Sequence, residues 1–218
     1  MALLGAAALA ALAVGLQPRA RKLPLYWSAP DFTLETQRGD TLRLADLLGT
    51  TWVVSFVFTN CTGVCPLITS KMARLRDSLA AAKLLGAHVR LVSITVDPAR
   101  DTPDVLRRYA ARFGGSPPDH WAFLTGEPPE RVRRLVQQGF KVSAALDPVA
   151  QPDPAASYQV QHTPRIMLVD RTGRIRGTYD ATEPGVVATV IADLQVLLKE
   201  PEEIAPKVNG ARRQKEAR

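Results

Sequence analysis

The sequence predicts an α/β domain built on a mixed sheet with helices on both faces. Three observations carry this expectation. Apolar, β-branched runs read as strands buried on both sides, amphipathic helical segments lie between them, and a hairpin with a closing helix ends the folded part.

The elements follow in order. "DFTLETQRGDTLRLADLLG" alternates apolar and polar residues around Arg38-Gly39-Asp40, as a small hairpin followed by a short helical turn would. "TWVVSFVF" is the first buried strand. Past it, Ile68, Met72, Leu75 and Leu79 recur at helical spacing, which predicts a helix with Pro66 as its first residue that ends near Gly86. "VRLVSITV" is the next strand. A second helix is expected from Thr102 as N-cap and Pro103 at the first helical position to Gly114, with Val105, Leu106, Tyr109 and Phe113 inward. "WAFLTG" reads as a strand and "PPERVRRLVQQGF" as a third helix with Val132, Leu135 and Val136 inward. Residues 143–157 read as a long loop, "RIMLVD" and "RIRGTYD" as a hairpin around Arg171-Thr172-Gly173. A last helix is expected from Pro184 to Lys199, burying Val186, Val187, Val190, Ile191, Leu194 and Leu198.

At 218 residues and 46% apolar content, the chain suits one domain with extra length at its ends. Residues 1–17 open with "MALLGAAALAALAVGL", an uncharged apolar run expected to be an export signal or membrane anchor. The nearest positive charges follow that run, against the positive-inside tendency for an exported body, and a short basic leader upstream would reconcile the two. Residues 18–29, rich in proline and basic side chains, read as a linker holding the domain off the membrane surface. Residues 30–200 form the domain, and residues 201–218 a basic, disordered tail. The net charge of +7 sits in Arg19, Arg21, Lys22 and the tail, leaving the body neutral, so nucleic acid is not an expected partner.

The chemistry centres on "VSFVFTNCTGVCPLITSKM", which holds the chain's two cysteines, Cys61 and Cys65. Four residues apart at the start of a helix, they can share a soft metal or, with a small backbone adjustment, a disulfide. The positive end of the helix would stabilise a thiolate at Cys65, which serves metal binding and disulfide exchange alike. A third group is available in His162 of "YQVQHTPRIMLVD", expected on a loop at the same sheet edge if the strand after it neighbours "VVSFVF". Two thiolates and one imidazole suit Cu(I), whereas zinc would want a fourth ligand.

The motif "FTNCTGVCP", then "VSITVDPARDTPDVLRRYAARFG" and "YQVQHTPRIMLVDRTGRIRGTYD", resembles the SCO/SenC family of thioredoxin-like copper chaperones, from about Ala29 to Leu198. The resemblance implies a thioredoxin-like fold and a copper ion held by Cys61, Cys65 and His162. It also implies delivery of copper to the CuA centre of cytochrome c oxidase, whose copper-carrying subunit would be the acceptor, with a thiol reductant or copper donor as a further partner. The place of action would be the outer face of the bacterial inner membrane, or the mitochondrial inner membrane facing the intermembrane space. The family's "VDPxRDTP" stretch falls on Val96, Asp97, Pro98, Arg100, Asp101, Thr102 and Pro103. Between the cysteines stand Thr62, Gly63 and Val64, where the family commonly has a proline or an acidic residue.

Thr163-Pro164 resembles the proline position of thioredoxins, which keeps a second reading open. In it the chain is a thiol-disulfide oxidoreductase: Cys61 attacks, Cys65 resolves, and Pro164 shapes the partner groove. A peroxiredoxin-like peroxidase is a third reading. The bland alternatives are a structural disulfide, which would close too small a loop to stabilise much, and an ordinary loop histidine at His162. Met72 is expected as core filler; His88 and His120 are expected as surface or turn residues. Asp97 is expected either to shape the turn before Pro98 or to orient a site residue.

Overall fold

The computed structural model describes residues 21–114, 120–146, 160–162 and 164–201. The expected export segment, the tail beyond Pro201, residues 147–157 of the expected loop and Thr163 lie outside the described residues.

Strands β1 (Thr33–Thr36) and β2 (Thr41–Arg43) form the expected hairpin, followed by a 3-10 turn at Leu44–Leu47. β3 (Thr51–Val57) is buried at all seven positions. α1 (Val64–Ala81) connects it to β4 (Val89–Thr95), and α2 (Pro103–Ala111) connects β4 to β5 (Trp121–Thr125). α3 (Pro129–Arg134) runs on into a π turn at Leu135–Gly139. After β6 (Ala144–Leu146) and β7 (Val160–His162) come β8 (Arg165–Val169), β9 (Ile175–Asp180) and α4 (Val186–Lys199).

The main sheet has seven strands in the order β2-β1-β5-β4-β3-β8-β9. β3, β4 and β5 are parallel, and β1, β8 and β9 join antiparallel. Side chains alternate across this sheet, so the two faces of β3 separate cleanly. Trp52 and Phe56 point one way and pack on Phe140 at the end of the π turn; Phe32 packs edge-on against Trp52. On the other face Ser55 and Ser93 share a hydrogen bond, and Tyr109 of α2 packs on Phe123. α1 packs against β3 and α4 on that same side. Helices therefore cover both faces, as expected.

The predicted helix faces hold. Ile68, Met72, Leu75 and Leu79 are all buried, and Met72 is core filler. Thr102 caps α2 by accepting from the Val105 amide, with Pro103 in the first turn and Gly114 beyond the helix at φ +75°. In α4, Val186, Val190 and Leu194 are buried as expected. Leu197, rather than Leu198, completes the stripe, and Asp193 is buried with it, accepting from the Tyr179 hydroxyl.

Four expectations are corrected. α1 begins at Val64, two residues before Pro66, with Gly63 as its N-cap; a proline fits there because first-turn amides have no partner within the helix. The expected loop from 143 contains β6, paired antiparallel with β7, so His162 lies on a strand opposite Ala144. The third helix closes as a π turn, and Gly139 is needed there because an added Cβ would stand 2.5 Å from Pro30. The stretch read as a linker is bound to the domain from Leu23 onward. The Tyr26 amide donates to the Ile175 carbonyl, the Ile175 amide to the Trp27 carbonyl and the Ala29 amide to the Gly173 carbonyl. These bonds occupy the outer edge of β9, which would otherwise offer unpaired backbone groups to another chain.

Candidate metal centre

β3 and β4 run parallel, so both end at the same edge of the sheet, and the chain turns there into the cysteine loop and the Asp97–Thr102 turn. β8 begins at this edge too: it neighbours β3 antiparallel, with Ile166 opposite Ser55. The strand that follows His162 in the chain thus neighbours β3, and His162 itself ends β7, three residues before Arg165.

The two cysteines occupy different surroundings. Cys61 is half-buried in a turn whose amide donates to the Phe58 carbonyl, and Cys65 is wholly buried in the first turn of α1. The Cys65 amide donates to the Cys61 sulfur at 3.4 Å. The helix N-terminus thus serves the first cysteine's sulfur. The expectation of a stabilised thiolate at Cys65 is overturned: burial pushes its thiol well above the ordinary range, and the opposing backbone hydrogen bond from Phe58 is the smaller effect.

Each cysteine is held by the β4–α2 segment through a threonine. Thr69, one turn after Cys65, donates to the Cys65 carbonyl at 2.9 Å and lies 2.8 Å from the Tyr109 hydroxyl, whose own ionisation burial pushes up. Thr59, two residues before Cys61, donates to the Asp101 carboxylate from both its amide and its hydroxyl. The Thr95 hydroxyl donates to the same carboxylate and accepts from the Asp97 amide. Burial raises the Asp101 carboxyl to about 6 although these threonine bonds pull it down. Asp97 is buried as well; burial raises its carboxyl and Arg100, 3.5 Å away, opposes that. The residue that reaches the cysteine loop is therefore Asp101, which sequence reasoning passed over as part of a motif. Its position next to the N-cap Thr102 was the available signal.

His88 and His120 are exposed at the opposite end of the sheet, His120 against Gly86, as surface residues. Among the described residues, no three His, Cys, Asp or Glu side chains form a ready metal-binding group. The described donors here are the two sulfurs, soft ligands brought together by one backbone turn.

A central strand that delivers a CxxxC pair into a helix, beneath a mixed sheet with helices on both faces, defines a thioredoxin-like protein. Residues 26–199 match SCO1/SenC, and the chain belongs to that family. It is 31% identical over 174 residues to the SCO1 protein homolog of Bacillus subtilis, covering 80% of this chain and 84% of that one. Among solved structures, BsSco, described with a disulfide switch as a member of the Sco family of cytochrome c oxidase assembly proteins, matches with a TM-score of 0.67 at 29% identity, covering 82% of this chain and 99% of that one. Bradyrhizobium japonicum ScoI with copper bound matches at 0.61 and 26% identity, covering 78% and 98%.

Proposed function

We propose that this chain is a copper-binding metallochaperone that helps assemble the CuA centre of cytochrome c oxidase. One copper ion is its cargo, held by Cys61, Cys65 and His162. The observation that carries the reading is the pair of soft sulfur donors on one turn, at the sheet edge where β3 ends and β8 begins; His162, three residues before β8 in the chain, is the proposed third ligand. Two sulfurs and one imidazole suit Cu(I). Cys65 is poor at holding a charge in its buried site, so a metal would have to displace its proton, which makes uptake more favourable as pH rises. Membership in the family and the copper-bound ScoI relative support the cargo.

Transfer would be by ligand exchange: the half-buried Cys61 gives the acceptor's soft ligands access to the ion, while buried Cys65 lets go last. The acceptor would be the oxidase's copper-carrying subunit, with a copper donor or thiol reductant acting beforehand to load the ion or keep both sulfurs reduced. The proposed location is the outer face of the inner membrane, or the mitochondrial equivalent facing the intermembrane space, with residues 1–17 as anchor or export signal. No helix among the described residues is long and apolar enough to cross a membrane.

A second reading is favoured by the difference in exposure between the sulfurs: an accessible attacking thiol and a sheltered resolving one is the division of labour of a thiol-disulfide oxidoreductase acting on the cysteines of the oxidase copper site. BsSco is described with a disulfide switch. The deciding experiment is anaerobic Cu(I) titration of the reduced chain against a chromophoric chelator, with native protein and His162→Ala side by side, together with turnover on a disulfide substrate. One tightly bound copper, weakened tenfold or more by the substitution, supports the chaperone. Weak copper binding with catalytic disulfide reduction supports the oxidoreductase.

A further inference from the structure

The end of the sheet farthest from the cysteines has a character of its own. β3 begins there at Thr51, β8 gives way to β9 there through the turn at Arg171–Gly173, and α4 ends there at Lys199. A cavity of about 550 Å³ opens among these elements and the incoming chain at Lys22–Leu25. Its charged lining consists of Lys22, Arg171, Arg174 and Arg176 against two carboxylates, Asp170 and Glu200, so cations are in excess. Both carboxylates are engaged: Arg176 bonds Glu200 at 2.8 and 2.9 Å and Asp170 at 3.2 Å, and Arg174 bonds Asp170 at 2.9 Å.

Around this basic mouth stand apolar side chains. Of the four large hydrophobic residues exposed among the described residues, Leu25, Tyr26, Leu48 and Leu67, three belong to this end. Leu25 lines the cavity and is 58% exposed, Tyr26 follows it, and Leu48 precedes cavity-lining Gly49 and lies against the turn glycine Gly173. Exposed apolar groups interleaved with lysine and arginine match a surface that is apolar below and anionic above, since the apolar groups can leave water while the cations stay at phosphate level. In the sequence, the chain reaches this end directly after the sixteen-residue apolar run and the basic residues Arg19 and Arg21.

We propose that this end of the domain docks on an anionic phospholipid surface, with Leu25, Tyr26 and Leu48 entering the interface and Lys22, Arg171 and Arg174 meeting the phosphates. Docked so, the seven-residue β3 stands between the bilayer and the cysteine loop. At about 3.3 Å per residue it holds Cys61 and Cys65 roughly 20 Å above the contact, facing outward to a partner. The inference goes beyond the copper and redox readings and does not depend on which is right.

The test is amide hydrogen exchange of the full chain incorporated in vesicles of phosphatidylcholine alone or of phosphatidylcholine with phosphatidylglycerol. Expected is severalfold slower exchange at Leu25–Trp27, Leu48–Gly49 and Thr172–Gly173 in the anionic vesicles only, with the Cys61–Gly63 amides unchanged. The double variant Lys22→Glu/Leu25→Ser, both positions exposed, should lose the difference while keeping the native near-ultraviolet circular dichroism, and raised salt should diminish it. Equal exchange in both vesicles, protection at the cysteine end instead, or a difference that persists in a folded double variant would overturn the proposal. Copper titration of the double variant separates the two readings: its stoichiometry and affinity should match the native chain.

Discussion

Asp101 accepts hydrogen bonds from both the amide and the hydroxyl of Thr59, a residue 42 positions earlier in the chain. The loop that delivers Cys61 is thereby fastened to the turn that starts α2. Replacing Asp101 by alanine leaves the Thr59 amide and the Thr59 and Thr95 hydroxyls without their acceptor. Losing those bonds should cost about 1–3 kcal/mol of stability, read by denaturant unfolding, and should weaken Cu(I) binding by loosening the approach to Cys61.

The same carboxyl gives a pH dependence with a definite sign. Its folded value, about 6, lies above the ordinary carboxyl value of 3.8, so the folded state holds the proton more tightly than the unfolded chain does. The stability linked to that proton is fully present below 3.8 and is lost as pH rises through 6. The stability of the native chain relative to Asp101→Asn, which carries no titrating carboxyl at this position, should fall as pH rises from 3.5 to 7. A relative stability that rises with pH would contradict this.

Exposure separates the two thiols. Native-state alkylation at mildly alkaline pH should label Cys61 and spare Cys65 until the protein is unfolded, because Cys65 is both buried and shifted away from its reactive thiolate. Peptide mass spectrometry after a time course gives the ratio directly, and comparable labelling of both would contradict the buried placement.

Tyr109 supports Cys65 at one remove. Tyr109→Phe removes one hydroxyl from the chain that runs through Thr69 to the Cys65 carbonyl, while Thr69 keeps its own bond. The expected loss is about 1 kcal/mol in thermal or denaturant unfolding, with copper stoichiometry unchanged.

At the far end, Arg176 is buried and bonds Asp170, Glu200 and the carbonyls of Leu23 and Pro24. Arg176→Met should cost about 3–5 kcal/mol, since it strands charges that lose their partner. Burial alone would raise the Asp170 carboxyl, but the Arg174 amide, Thr172 and the two guanidiniums outweigh it and hold it low. Its contribution is present above the unfolded carboxylate value and is lost as pH falls through the folded one. An acid titration of unfolding should show that loss in the native chain and less of it in the variant.

Much of this architecture was legible in the sequence because it is written in local periods. The buried stripe of α1, the Thr102–Pro103 start of α2 and the hairpin around Gly173 each follow from spacing within a few residues. The cysteine pair was legible for the same reason, and the pairing of β8 with β3, which the sequence left as a condition, is met by the fold. What escaped depends on distant partners. Leu23–Ala29 is proline-rich and basic, and nothing local says that its backbone pairs with β9. β6 and β7 are three residues each and exist only as a pair. The neutral preference of Cys65 follows from a core assembled around it, and Asp101 and Arg176 take their meaning from Thr59, Leu23 and Glu200.

The pairing of Leu23–Ala29 with β9, clamped by Arg176 on the Leu23 and Pro24 carbonyls, works as a strain relief. Were residues 1–17 to act as the proposed anchor, tension from them would be carried as shear along a row of backbone bonds and a buried guanidinium. The load path would enter the outer strand and the last helix rather than the turn that holds the two sulfurs.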